Sequence, residues 1–191
     1  MSLSMYQASM PVLIQRLKTL SAILKKGSMY AKAKGFGGDV LVNARLAPDM
    51  FPLSRQVQIA TDMAKGAAGR LAGIDIPSYA DTESSLPELQ ERIAKTIAFL
   101  KTVTPAQVDG TEEKLITLQL RAGSISLSGQ SYLLDWALPN VYFHVTTAYN
   151  LMRHNGVELG KGDFLGIAPK AAKKAGKGVA KPARTKAGSK R

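Results

Sequence analysis

The stretch PNVYFHVTTAYNLMRHNG, residues 139–156, holds both histidines of this 191-residue chain and decides how its fold is interpreted. Apolar and aromatic residues recur throughout the stretch, and it closes on Asn-Gly, a common helix terminator. The pattern predicts the last helix of the fold, which should begin near Gln130 and be disturbed at Pro139. His144 follows Phe143 within this helix, so its role depends on what its face of the helix contacts.

Two long helices are predicted upstream of this one. Residues 10–24 place apolar side chains at three-four spacing, and Gly27 is the expected stop. The second helix should begin near Pro52 and be capped by Gly73, with small residues along its apolar face. Small residues on that face favour close approach of a neighbouring helix.

A third helix and a short hairpin complete the predicted body. Ser85 and Glu88 form a capping-box pattern at the start of the third helix. Residues 114–127 then alternate apolar and polar side chains, which is typical of two short strands. The predicted fold is therefore all-α, a four-helix bundle with a small β-hairpin before the last helix.

Bulk composition excludes several classes of protein. The chain has no cysteine, which removes disulfide frameworks, thiolate metal sites and thiol nucleophiles. No apolar run approaches the roughly 20 residues of a membrane-spanning helix. The amino terminus lacks the basic and apolar regions of a secretory signal. The sequence therefore predicts a cytoplasmic protein that does not enter a membrane.

The positive charge is concentrated at the carboxy terminus. Residues 168–191 contain nine of the 26 lysine and arginine residues and none of the 14 acidic residues. With little apolar surface to offset the entropy of ordering, this segment is predicted to be a disordered tail after a helical domain of residues 1–167. Clustered cations neutralise phosphates without base selection, so nucleic acid or another polyanion is the expected partner; a tail that only aids solubility is the alternative. The predicted phosphate-contacting residues are Lys170, Lys173, Lys174, Lys177, Lys181, Arg184, Lys186, Lys190 and Arg191.

Three stretches resemble an uncharacterised domain-of-unknown-function family within the DinB/YfiT-like superfamily. They are the quoted stretch, the GKGDFLG that follows it at 160–166, and NARLAPDMFPLSRQV at 43–57. The resemblance covers about residues 1–167 and implies a DinB/YfiT-like four-helix bundle. It also implies a divalent-metal site, because many members of the superfamily hold a metal through three histidines. One of these comes from the second helix and two from the fourth, four residues apart.

The resemblance carries onto this chain only in part. Arg153 matches the arginine that closes the superfamily's fourth helix, and counting back from it places His144 at the second histidine of the pair. Asn140 then replaces the first, and Gln56 falls near the second-helix position. Amide oxygens are weak donors for zinc or nickel. His144 is thus the predicted metal ligand. If Asp49 joins it, the resulting ligand set would suit only a weakly held divalent ion.

The predicted ligand-binding residues are His144, Asn140, Gln56 and Asp49. They either line a pocket for a small polar molecule or form a buried hydrogen-bonded network that fixes helix register. No cofactor is expected beyond a weakly held divalent metal.

Three functions remain open from the sequence. The first is a DinB-like protein with a degenerate metal or small-molecule site, and the second is a nucleic-acid-associated protein that acts through its tail. The third is a metal-dependent transferase or hydrolase. By analogy with related bundles, the apolar surface also predicts a homodimer.

Overall fold

The computed structural model describes residues 3–120 and 123–167. The predicted basic tail, residues 168–191, lies outside the described residues. In chain order the elements are α1 (Met5–Lys34), α2 (Gly38–Val42), α3 (Leu53–Ala72), α4 (Leu86–Leu100), α5 (Pro105–Val108), β1 (Ile116–Leu120), β2 (Gly123–Leu127), α6 (Gly129–Ser131), a π-helix (Tyr132–Ala137), α7 (Leu138–His154) and α8 (Lys161–Leu165). Across this part of the chain, we find no helix whose length and apolar character would allow it to cross a lipid bilayer.

Four long helices surround the apolar core. Helix α1 packs against α4 and α7, and α3 packs against the same two helices. The predicted inward faces are confirmed: the fully buried side chains include Met10, Leu13, Leu17, Leu20 and Leu24 of α1 and Ala60, Ala64 and Ala67 of α3. Because the alanines are small, α3 can lie close to its neighbours, which brings its polar residues within reach of α7.

The predicted end of the first helix is wrong. Gly27 lies inside α1, which continues to Lys34 and ends at Gly35 in the left-handed conformation, with φ of 75°. A Cβ at position 27 would lie 2.7 Å from the sulfur of Met152 on α7. Gly27 therefore serves close packing between helices, which a sequence pattern does not distinguish from a stop signal.

Other local signals are confirmed. Ser85 caps α4 and Glu88 completes the capping box, while Gly73 ends α3 with φ of 69°. Strands β1 and β2 pair antiparallel, with Ile116 opposite Leu127. Strand β1 lies beside the carboxyl-terminal half of α3, and residues of both elements line a common cavity.

The disturbance predicted at Pro139 takes a specific form. Pro139 lies in the first turn of α7, directly after the π-helix. A proline has no amide hydrogen and crowds the carbonyl group four residues earlier in a regular α-helix. The wider π-helical turn relieves this conflict, and it changes the direction in which Tyr132 and Trp136 project.

Candidate functional site

The predicted site residues His144 and Gln56 meet where α7 packs against α3. The Nδ1 atom of His144 lies 2.7 Å from Oε1 of Gln56. Both side chains are buried, with 8% of the surface of His144 and 1% of that of Gln56 exposed. The two positions that the family resemblance assigns to metal-binding histidines are thus joined here by a direct hydrogen bond between the two helices.

The hydrogen bonds of Gln56 fix the tautomer of the imidazole. Its Nε2 group donates to the backbone carbonyl of Phe51 over 3.1 Å. A carbonyl oxygen can only accept, so the amide nitrogen must face Phe51 and the amide oxygen must face His144. That oxygen also can only accept, so Nδ1 of His144 carries the hydrogen. The Nε2 atom of the neutral ring is left with a free lone pair.

The surroundings also keep this ring uncharged. Burial lowers the pKa of His144 to about 4, and the positive charge of Arg55 acts in the same direction. At neutral pH the side chain is therefore a neutral imidazole. It can accept a hydrogen bond at Nε2, but it is a weak base.

The other two predicted residues, Asn140 and Asp49, form no hydrogen bond with His144 or Gln56 in the described part of the chain. Asn140 is half-buried, and its Nδ2 group donates over 2.7 Å to the carbonyl of Trp136, one turn earlier in the chain. Asp49 is exposed in a turn before α3. Of the four predicted ligand-binding side chains, only His144 and Gln56 are joined by a hydrogen bond within the described residues.

The donor set around His144 does not fit the three-histidine metal site that the resemblance implies. Gln56 presents its oxygen to an N–H group, so this oxygen is already engaged as an acceptor. In residues 3–120 and 123–167, no three His, Cys, Asp or Glu side chains are grouped so as to hold a metal ion. One imidazole with amide neighbours is a poor ligand set for zinc or nickel.

An exposed aromatic ring lies against the imidazole of His144. The ring of Phe143 meets the imidazole edge to face, with centroids 5.1 Å apart. Phe143 is 59% exposed and Phe51 is 54% exposed, and the guanidinium of Arg55 lies 6.0 Å from the centre of the Phe51 ring. An aromatic ring and a positive charge therefore lie near the imidazole.

Sequence reasoning missed a buried ionic cluster centred on Arg92 of α4. The Arg92 side chain is 1% exposed; it lies 2.8 Å from Asp62 of α3 and 2.9 Å from Glu83 in the connection between α3 and α4. It also contacts Asp81 at 3.0 Å and donates to the hydroxyl of Thr61 at 2.8 Å. The cluster ties the connection to both helices. The available signal was an arginine beside Ile93, on the apolar face of α4.

Comparison with known proteins places the chain in a family. The family described as Domain of unknown function (DUF1993) matches residues 5–165. The crystal structure of a DinB family member protein from Shewanella denitrificans, solved at 1.83 Å, is similar to this chain with a TM-score of 0.79 and 40% sequence identity. The likeness covers 87% of this chain and 94% of that one. Among curated proteins, none matches this chain. The chain therefore belongs to the DUF1993 family of domains of unknown function, and it is DinB-like.

Proposed function

We propose that this protein is a DinB-like four-helix-bundle protein that binds a small polar molecule at His144 rather than a tightly held metal ion. The observation that carries the proposal is the chain of hydrogen bonds from the Phe51 carbonyl through Gln56 to His144. It orients the imidazole and directs its N–H inward, so that Nε2 remains as the acceptor for a ligand.

The chemistry around Nε2 narrows the class of ligand. A neutral imidazole nitrogen accepts a hydrogen bond from an O–H or N–H group. The exposed ring of Phe143, which contacts the imidazole, favours a planar apolar body. Arg55 lies close enough to lower the pKa of His144, so it disfavours a cationic ligand. A hydroxylated planar molecule satisfies all three conditions.

The proposal is tested by nitrogen NMR of the full-length protein labelled at its two histidines. Phenol, which can donate a hydrogen bond, is expected to shift the Nε2 resonance of His144 saturably, whereas anisole is not, since it has the same ring without a donor. The variants His144→Gln and His154→Gln assign the signals, and exposed His154 is the matched control. Zinc sulfate is titrated in parallel, and no stoichiometric binding that depends on His144 is expected.

Two results would count against the proposal. Equal shifts with phenol and anisole would show that ring packing alone, without the imidazole acceptor, explains any binding. Stoichiometric zinc that is lost in His144→Gln but retained in His154→Gln would favour the metal-dependent transferase or hydrolase.

A second candidate function rests on the charge of residues 168–191. Nine cations without an acidic residue would release counterions from nucleic acid, which gives salt-sensitive and sequence-independent binding. In this view the helical domain is a scaffold or a dimerisation unit, and the tail provides the affinity. The segment has no aromatic residue, so base stacking would not contribute.

Truncation after residue 167 is expected to weaken binding to duplex DNA by about tenfold or more at low salt, because most phosphate contacts are lost. Binding is measured by fluorescence anisotropy at several salt concentrations. A full-length variant with the tail residues in shuffled order should bind as the natural chain does, since net charge determines the effect. Undiminished binding by the truncated protein at matched salt would refute the tail hypothesis.

A further inference from the structure

A cavity lies beside the carboxyl-terminal half of α3, and neither His144 nor Gln56 lines it. Its volume is about 280 Å³. It is lined by residues of α3, the π-helix and β1, together with Ile76 of the connection after α3. The lining residues on which the argument depends are Lys65, Gly66, Arg70, Leu118, Tyr132 and Trp136.

The charge balance of this cavity is positive. Arg70 is half-buried, and within residues 3–120 and 123–167 no carboxylate oxygen lies within 4.0 Å of its guanidinium. Lys65 is buried and pairs with Asp62 at 3.0 Å. Asp62 also lines the cavity, but it pairs with Arg92 at 2.8 Å as well, so its single negative charge is shared by two cations. The cavity therefore favours an anionic ligand.

Gly66 leaves space for the guanidinium of Arg70 beside the cavity. A Cβ at position 66 would lie 2.4 Å from Nη1 of Arg70. A glycine inside a helix costs about 1 kcal/mol relative to alanine, and here it makes room for the arginine to lie along α3. Arg70 Nη1 then donates to the hydroxyl oxygen of Tyr132 over 3.4 Å.

Tyr132 supplies a second donor toward a bound anion. Burial raises the pKa of its phenol, although the charge of Arg70 acts in the opposite direction. The phenol is therefore protonated at neutral pH, and its hydroxyl can donate while its oxygen accepts from Arg70. The π-helix places Tyr132 and Trp136 along the same cavity, and π-helical turns occur frequently at functional sites.

We infer that this cavity binds a small carboxylate with an aromatic or branched apolar body. The carboxylate would accept hydrogen bonds from the guanidinium of Arg70 and from the hydroxyl of Tyr132. Planar guanidinium and carboxylate groups pair through two parallel hydrogen bonds. The apolar body would pack on half-buried Trp136 and on Met63, Ile76 and Leu118. A volume just below that of most drug-sized pockets limits the body to one ring or a short branched chain.

The only tryptophan of the chain reports on this cavity directly. Trp136 fluorescence of the full-length protein is followed while 3-phenylpropionate is added, and saturable quenching is expected. The uncharged 3-phenylpropanamide should bind at least about tenfold more weakly, because it lacks the charge that Arg70 recognises. The variant Arg70→Gln should weaken binding of the carboxylate by a similar factor and leave binding of the amide nearly unchanged.

Two further variants make the result specific. Arg16→Gln is the matched control, because Arg16 is also half-buried but bonds to the carbonyl of Phe164, away from the cavity. Tyr132→Phe keeps the ring and removes the hydroxyl, so it should weaken the carboxylate several-fold even if Arg70→Gln does not fold. The inference is overturned if quenching does not saturate, if the amide binds as tightly as the carboxylate, or if Tyr132→Phe and a folded Arg70→Gln bind as the natural protein does.

Discussion

Replacing Arg92 by methionine is expected to lower the free energy of unfolding by about 3 kcal/mol, the lower end of the cost of breaking a buried ion pair. The loss arises because the substitution leaves Asp62, Asp81 and Glu83 without their shared cation. Glu83 contributes most, since its side chain is only 13% exposed. Asp62 keeps Lys65, and Asp81 keeps Arg55, so these two are less affected. Urea denaturation followed by circular dichroism at pH 7 measures the change.

A control and a double variant separate the ionic cluster from general effects on the helix. Lys95→Met, at an exposed position one turn further along α4, should change stability by less than about 0.5 kcal/mol. The double variant Arg92→Met with Glu83→Gln should recover part of the lost free energy of unfolding, because it removes the negative charge of Glu83, which is the least exposed of the three carboxylates left without Arg92. If Arg92→Met and Lys95→Met cost the same, the cluster does not hold the connection between α3 and α4.

The fold could be predicted from the sequence wherever capping and turn residues agree with the spacing of the apolar residues. The capping box at Ser85, the glycine cap at Gly73 and the alternation in residues 114–127 are each written in a few adjacent residues. Gly27 was misinterpreted because its neighbour, Met152, is distant in sequence and close only in the folded chain. A glycine in the sequence indicates a position where a side chain would not fit or would strain the backbone. Only the tertiary structure shows whether the cause is a turn or a close contact with another helix.

The site was less predictable, for a related reason. The pairing of Gln56 with His144 was implied by the family resemblance, which puts both residues at histidine positions of the superfamily, and the structure joins them by a hydrogen bond. The tautomer of His144 depends on the Phe51 carbonyl, which lies before α3 and has no side-chain signature. Two of the three acidic partners of Arg92, Asp81 and Glu83, lie in the connection after α3, and the third, Asp62, lies on α3. The spacing of apolar residues in α4 does not show how either segment packs against Arg92.

Stability is expected to fall by about 2 kcal/mol between pH 7 and pH 5 because of His144 alone. Its pKa is about 4 in the folded protein, against the ordinary value of 6.5. Below pH 6.5 the unfolded chain binds a proton at this position and the folded chain does not, so acid favours unfolding until the pH approaches 4. Glu83 also has a lowered pKa, because hydrogen bonds from Arg92 outweigh the opposing effect of burial. Its contribution is lost only as the pH falls below about 4.5, so the two effects occupy different ranges.

The experiment compares slopes of stability against pH, which do not depend on the absolute stability of each variant. Urea denaturation is measured from pH 7 to pH 5 for the natural chain, for His144→Gln and for His154→Gln. The slope should disappear in His144→Gln, where glutamine can still bond to Gln56 but cannot titrate. It should persist in His154→Gln, since His154 is exposed at the end of α7. If the slope of His144→Gln equals that of the natural chain, His144 contributes nothing to it, which would mean that this side chain charges in the folded protein near its ordinary pKa. The neutral Nε2 acceptor on which the ligand site depends would then be present only above the ordinary pKa of histidine.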